Sequence, residues 1–216
     1  MLSNTVEKIY LDSNVWFSFL LKKDDNNSKG SIEYEQANII INKIVSDNNL
    51  IVLVSQLVIL EIISIIRKKA VTKMKISGNK DINDEDSKIL LKKTIDDLTR
   101  EFIDNITKLE YIGKLQIVKI DESLSNVLKR EQKILRNRFG EIKKTTKCYV
   151  CKSEYHEYTY RGIDHYDIQH VIIAEYAKAD QFITFDRGYE CIKDEFPSLN
   201  IHIYSIQLNE LFLKLD

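Results

Sequence analysis

Apolar residues fall along this chain in two rhythms. Short runs bounded by polar turns, at Lys8–Leu11, Leu50–Val54, Leu115–Ile120, Gln181–Thr184 and Ile201–Tyr204, have the length and β-branched content of buried strands. Between them apolar positions recur every three or four residues over Val15–Leu21, Ile32–Val45, Leu57–Ile66, Asp86–Leu109 and Glu122–Phe139. The same spacing carries Val171, Ala174, Ala177 and Lys178, then Ile206–Leu213 at the end. Strands that alternate with helices predict an α/β fold with a mainly parallel central sheet and helices on both faces. Two polar stretches interrupt the rhythm. Arg67 to Asp86, with Ser77-Gly78-Asn79, reads as a helix end and a loop, and the chain between Phe139 and Gly162 reads as a charged, tyrosine-rich loop.

Acidic residues stand where the predicted strands and helices change over. Asp12 follows the first strand and enters the turn Ser13-Asn14, and Asp186 follows the strand Gln181–Thr184. Asp167 opens a helix, and Asp164, one turn earlier, is either a fifth acid or that helix's cap. Glu61 interrupts the apolar run Leu57–Ile66, where a carboxylate is costly unless it is paired or binds a metal. Taken alone, Glu61 reads more simply as a glutamate snorkelling from its helix to water. His170 reads as a core histidine with satisfied hydrogen bonds. A strand ending in Asp also opens haloacid-dehalogenase-type phosphatases, but their second Asp, two residues on, is Asn14 here.

These positions together resemble a known family. Asp167, His170, Ala174, Ala177, Ala179, Asp180, Phe182, Thr184 and Asp186 are similar to the third and fourth acidic motifs of PIN-domain ribonucleases. Ile9-Tyr10-Leu11-Asp12-Ser13-Asn14-Val15 resembles the first motif and Ser55-Gln56-Leu57-Val58-Ile59-Leu60-Glu61 the second. The resemblance implies one PIN-like nuclease domain over residues 1–216, with insertions at about 67–86 and 136–161. It further implies that Asp12, Asp167, Asp186 and Glu61 form the catalytic set and hold one or two Mg or Mn ions, with Asn14 and Thr184 orienting the carboxylates. The implied reaction is hydrolysis of phosphodiester bonds, chiefly endonucleolytic cutting of single-stranded or structured RNA. A structure-specific DNA nuclease and a catalytically silent RNA- or protein-binding scaffold are the alternatives. An inhibitory antitoxin protein and a second copy of the chain are the protein partners left open. Where many relatives carry Arg before the last acid, this chain has Phe185, and the basic neighbour is Arg187.

Composition changes this picture only locally. With 44% hydrophobic residues, 30% charged residues and a formal net charge of -1, the chain has no global attraction to nucleic acid. Between Lys129 and Lys152, however, nine basic residues stand against Glu131 and Glu141. Lys129, Arg130, Lys133, Arg136, Arg138, Lys143, Lys144 and the separate Arg187 are therefore the candidate phosphate contacts. Cys148 and Cys151, with His156 beyond, have the spacing of half a structural zinc site; two free thiols in a loop are the plainer reading. Three cysteines, no signal-peptide pattern and no apolar run long enough for a bilayer predict a cytoplasmic protein without a membrane anchor.

Overall fold

The computed structural model describes residues 6–20, 28–76, 85–119, 124–137, 142–147, 154–158 and 165–204. Asp164, Arg138, Cys148, Cys151 and the expected helix Ile206–Leu213 lie outside these, and the side chains of Arg136, Lys143, Lys144 and His156 are likewise not described.

In chain order the elements are β1 (Glu7–Leu11), α1 (Ser13–Leu20), α2 (Ser28–Ser46), β2 (Leu50–Ser55), α3 (Gln56–Ile76), α4 (Glu85–Tyr111), β3 (Leu115–Val118), α5 (Leu124–Asn137), β4 (Ile142–Lys147), β5 (Glu154–Tyr158), α6 (His165–Tyr176), β6 (Gln181–Thr184), two 3-10 turns (Arg187–Cys191 and Lys193–Glu195) and β7 (Asn200–Ile203). Five strands pair in the order β3-β2-β1-β6-β7, and every pairing is parallel. Side chains alternate between the faces of a strand, yet Ile9, Tyr10 and Leu11 are all buried, as are Val52 to Ser55 and all four residues of β6. The sheet is thus covered on both faces, which is why its central strands read as unbroken apolar runs.

The strand order locates a candidate functional edge. From β1 the chain steps outward to β2 and β3, then returns to the other side of β1 with β6 and β7. The reversal lies between β1 and β6, and in open parallel sheets the crevice at the strands' C-terminal ends beside such a reversal is where ligands bind. Asp12 follows the last residue of β1, and Asp186 lies two residues beyond β6.

Two expectations from the sequence need correction. Helix α3 runs ten residues past the expected Ile66, to Ile76, so the first half of the charged run from Arg67 is helix. Ile62, Ile66 and Ala70, spaced by four and buried, keep one face of α3 apolar, while Arg67 and Lys68 are exposed. Residues 142–158 are also not simply loop: β4 and β5 form an antiparallel hairpin separate from the main sheet. A smaller difference lies at α6, which stops at Tyr176. Lys178 has φ 55°, while Ala179 N–H donates to Ala174 O and Lys178 N–H to Glu175 O. That is a Schellman ending with lysine at the left-handed position usually filled by glycine. The helix α4 ends in the same way with Gly113, at φ 72°.

Candidate functional site

Asp12 sits in the turn from β1 into α1 and is 2% exposed. Its Oδ1 accepts from the Ser13 N–H at 2.7 Å and the Ser13 hydroxyl at 3.4 Å; its Oδ2 accepts from Asn14 Nδ2 at 2.8 Å and Thr184 Oγ1 at 2.7 Å. The Thr184 hydroxyl in turn accepts from Asn14 Nδ2 and from the Asp186 N–H, both at 3.0 Å. Asn14 Oδ1 accepts from the Phe185 N–H at 3.1 Å, tying α1 to the end of β6. Asn14 and Thr184 therefore both touch the Asp12 carboxylate and fix its rotamer. Burial drives the Asp12 carboxyl above the ordinary aspartate range, against the lowering influence of the His170 ring and the Thr184 bond.

Asp186 acts locally, since its Oδ1 accepts from Gly188 N–H at 2.7 Å and caps the following 3-10 turn. Asp167 lies in the first turn of α6, and its Oδ1 is 3.4 Å from the Tyr189 hydroxyl. Glu61 lies on α3, half-buried, with Oε2 2.7 Å from His170 Nε2 on α6. Burial alone would raise the Glu61 carboxyl, but the bond and charge of His170, helped by Ser13 and Lys68, bring it below the usual range. Burial likewise opposes charge on His170, yet the Glu61 bond and the charges of Asp12, Glu61 and Asp167 raise its pKa.

The acids share one electrostatic neighbourhood. Burial first, then the charges of Asp12, Asp167 and Asp186 drive the Tyr189 hydroxyl far up, and Asp12 and Glu61 add to burial in raising Tyr10. Tyr10, Phe182 and Tyr189 form an aromatic column beneath this edge. The first pair is stacked at 5.5 Å and 11°, the second tilted at 5.0 Å and 48°. Sequence reasoning does not single out Tyr10, Ser55 or Tyr189 as site residues, since each reads alone as ordinary core or cap. For Tyr10 and Ser55 the signal that could have found them is a hydroxyl within or at the end of an apolar run; Tyr189, in Arg187-Gly188-Tyr189-Glu190, carries none.

Oxygen-only donors suit a hard divalent ion. Among the described residues, however, no group of three or more His, Cys, Asp and Glu side chains is gathered to hold a metal. Both Asp12 oxygens are engaged with protein donors, as is one oxygen each of Asp186, Asp167 and Glu61.

On the flank of α6, Arg130 of α5 pairs with Glu175, donates to the Glu195 carbonyl at 3.3 Å and lies 4.9 Å from the Phe196 ring centroid. Gln169 Nε2 donates to Glu131 at 2.8 Å in the same interface. Arg130 therefore helps pack α5 onto α6, while Lys129 and Lys133 are exposed beside it, as is Arg187 next to Asp186. No helix among the described residues is long and apolar enough to cross a membrane.

No protein-family model matches the chain, and no curated protein matches it. Among solved structures it is similar to that of VapBC2 from Rickettsia felis bound to a DNA fragment from its promoter. That likeness has a TM-score of 0.43 and 11% identity over 91% of this chain and 98% of the other. The α/β assignment rests on the strand order and register of this chain itself.

Proposed function

We propose that this chain is a metal-dependent nuclease that hydrolyses phosphodiester bonds, with RNA as the preferred substrate. One observation supports the reading: Thr184 at the sheet's reversal edge bonds both the Asp12 carboxylate and the Asp186 N–H, while Glu61 bonds His170 on the helix whose first turn carries Asp167. Like charges in such company are settled by a cation. Asp12, Asp167 and Asp186 are the candidate ligands for Mg or Mn, with Asp164 as a further acid and Glu61 oriented toward water. A divalent ion held by these acids would make a bound water easier to ionise and would offset charge on the phosphate oxygens. Asn14 and Thr184 hold Asp12 in place, while Lys129, Lys133 and Arg187, with Arg136, Arg138, Lys143 and Lys144, attract the phosphate backbone. Structural zinc at Cys148, Cys151 and His156 would brace the hairpin without joining the reaction. Partners at the protein level, a second copy or an inhibitory antitoxin, alter regulation and leave this chemistry intact.

A second reading has its own support. The Asp12 carboxylate already accepts from Ser13, Asn14 and Thr184, as it would in a scaffold that binds RNA or protein without cutting. Cleavage of end-labelled RNA and DNA by the purified protein with Mn²⁺ decides between them. EDTA and Asp167→Asn should each abolish cutting, and product lengths report endo- or exonucleolytic action. Absence of cutting with retained RNA binding would establish the scaffold.

A further inference from the structure

Three polar side chains lie at 0% exposure in the core beneath the acids: Ser55 at the end of β2, Tyr10 on β1 and His170 on α6. They form a single file. Ser55 Oγ is 2.7 Å from the Tyr10 hydroxyl, which is 3.1 Å from His170 Nδ1; His170 Nε2 is 2.7 Å from Glu61 Oε2. Apolar residues would fill these positions without the desolvation that buried hydroxyls and an imidazole incur. Their placement therefore calls for a reason beyond packing.

Donor and acceptor chemistry sets the direction of the file when the imidazole is neutral. An ionised carboxylate only accepts, so His170 Nε2 carries the hydrogen and Nδ1 is the acceptor. Tyr10 must then donate to Nδ1, and its oxygen accepts from the Ser55 hydroxyl. Ser55 oxygen, with its hydrogen committed, accepts from the Val58 N–H 3.3 Å away. Each group is used once. The file starts at a backbone amide in the first turn of α3, passes through β2, β1 and α6, and returns to Glu61 three residues further along α3.

We propose that Ser55, Tyr10 and His170 are positioning residues that act through Glu61. They fix Oε2, so that the Glu61 carboxylate is held to orient the attacking water. The inference rests on the nuclease reading above and assigns the buried file its part in it. Tyr10 and His170 are 160 residues apart in sequence and meet because β1 and α6 face one another at the reversal edge. Outer partners of this kind are worth about 10- to 100-fold in activity.

The test is Tyr10→Phe, which keeps the ring and its stack on Phe182 and deletes one hydroxyl. In metal-free protein at pH 8.5, ¹⁵N spectra should show His170 protonated on Nε2 in both proteins. The Nδ1 resonance should move toward that of an unbonded nitrogen in the variant. With Mn²⁺ and RNA, kcat should fall about 10- to 100-fold while KM and the Mn²⁺ dissociation constant stay within about twofold. Added to Glu61→Gln, Tyr10→Phe should cause no further loss, since groups that act through one another are not additive. Ser55→Ala, which breaks the file one link earlier, should show a smaller fall of the same sign and covers the case of a Tyr10 variant that does not fold. Wild-type cutting with undiminished kcat in Tyr10→Phe, or full additivity with Glu61→Gln, would overturn the positioning role and leave the nuclease reading standing. A wild type that neither cuts nor binds Mn²⁺ overturns both.

Discussion

Asp12 follows the strand that carries Tyr10, Glu61 bonds His170, and the two acids are held by different means. Asp12 is 2% exposed, and its bonded neighbours, Ser13, Asn14 and Thr184, are all neutral. Glu61 is 32% exposed and bonds a ring that can carry charge. Neutral dipoles satisfy a carboxylate's lone pairs without cancelling its charge, so burial prevails and the Asp12 carboxyl is raised. At Glu61 the histidine outweighs burial, and the carboxyl is lowered. One flank is thus held by neutral dipoles that leave its charge uncancelled. The other is bonded to a ring that can take up a proton.

Substitution to alanine should separate the flanks most strongly. Asp12→Ala leaves the Ser13 N–H, the Asn14 amide and the Thr184 hydroxyl to find new partners in a dry turn. We expect a loss of about 2 to 3 kcal/mol, reduced from the sum of the parts by relief of the buried charge. Glu61→Ala orphans one histidine nitrogen beside a half-open surface and should cost about 1 to 2 kcal/mol, while Glu61→Gln, whose amide oxygen can still accept, should cost about 0.5 kcal/mol or less. Urea unfolding of the three variants measures this. Equal losses for both alanine variants would break the contrast.

Protonation offers a smaller and signed test. The pKa of His170 is raised, so its contribution to stability is fully present below the unfolded value of 6.5 and is lost as pH rises through the folded value. The stability gap between wild type and His170→Gln should therefore narrow from pH 6 to pH 9. His202 on β7 supplies the opposite sign. Burial first, then Lys193, lower its pKa, and among the described residues its buried Nε2 has no partner. Its penalty develops as pH falls through 6.5, so the gap between wild type and His202→Gln should become less favourable to wild type toward pH 5.5. Two histidines with slopes of the same sign would mean that the Glu61 bond does not set the behaviour of His170.

What the sequence could reveal follows from where the information lies. β1, β2 and β6 were legible because burial on both faces leaves runs such as Leu50–Val54, and Asp12 and Asp186 because each breaks such a run at its end. The β4–β5 hairpin was not, since its alternation is written in Lys, Thr and Tyr, residues equally at home in a charged loop. The buried file was invisible for another reason. Tyr10, Ser55 and His170 carry no joint pattern in one dimension; only the pairing of β1 with β2 and the placement of α6 beside β1 bring them together. Glu61 stood between these cases. The sequence marked it as anomalous in an apolar helix, and the structure supplies His170 as its partner.

The smallest effect tests whether the two flanks are independent of the frame that carries them. Helix α6 brings Asp167 and His170 to the site, and its far end turns through Lys178 at φ 55°, where α4 uses Gly113 at φ 72°. A left-handed lysine carries steric strain that glycine does not. Lys178→Gly should therefore stabilise the protein by about 0.5 to 1 kcal/mol, offset in part by the greater freedom of an unfolded glycine. Gly113→Ala meets no atom within 4 Å of the added Cβ and should lose stability through backbone strain alone, by about 1 kcal/mol. Placed in the Lys178→Gly background, the Asp12→Ala and Glu61→Ala losses should keep their values within about 0.5 kcal/mol, as distant sites do. A background that altered only the Glu61 loss would show that the end of α6 sets the reach of His170, and that the tuned flank extends along the whole helix.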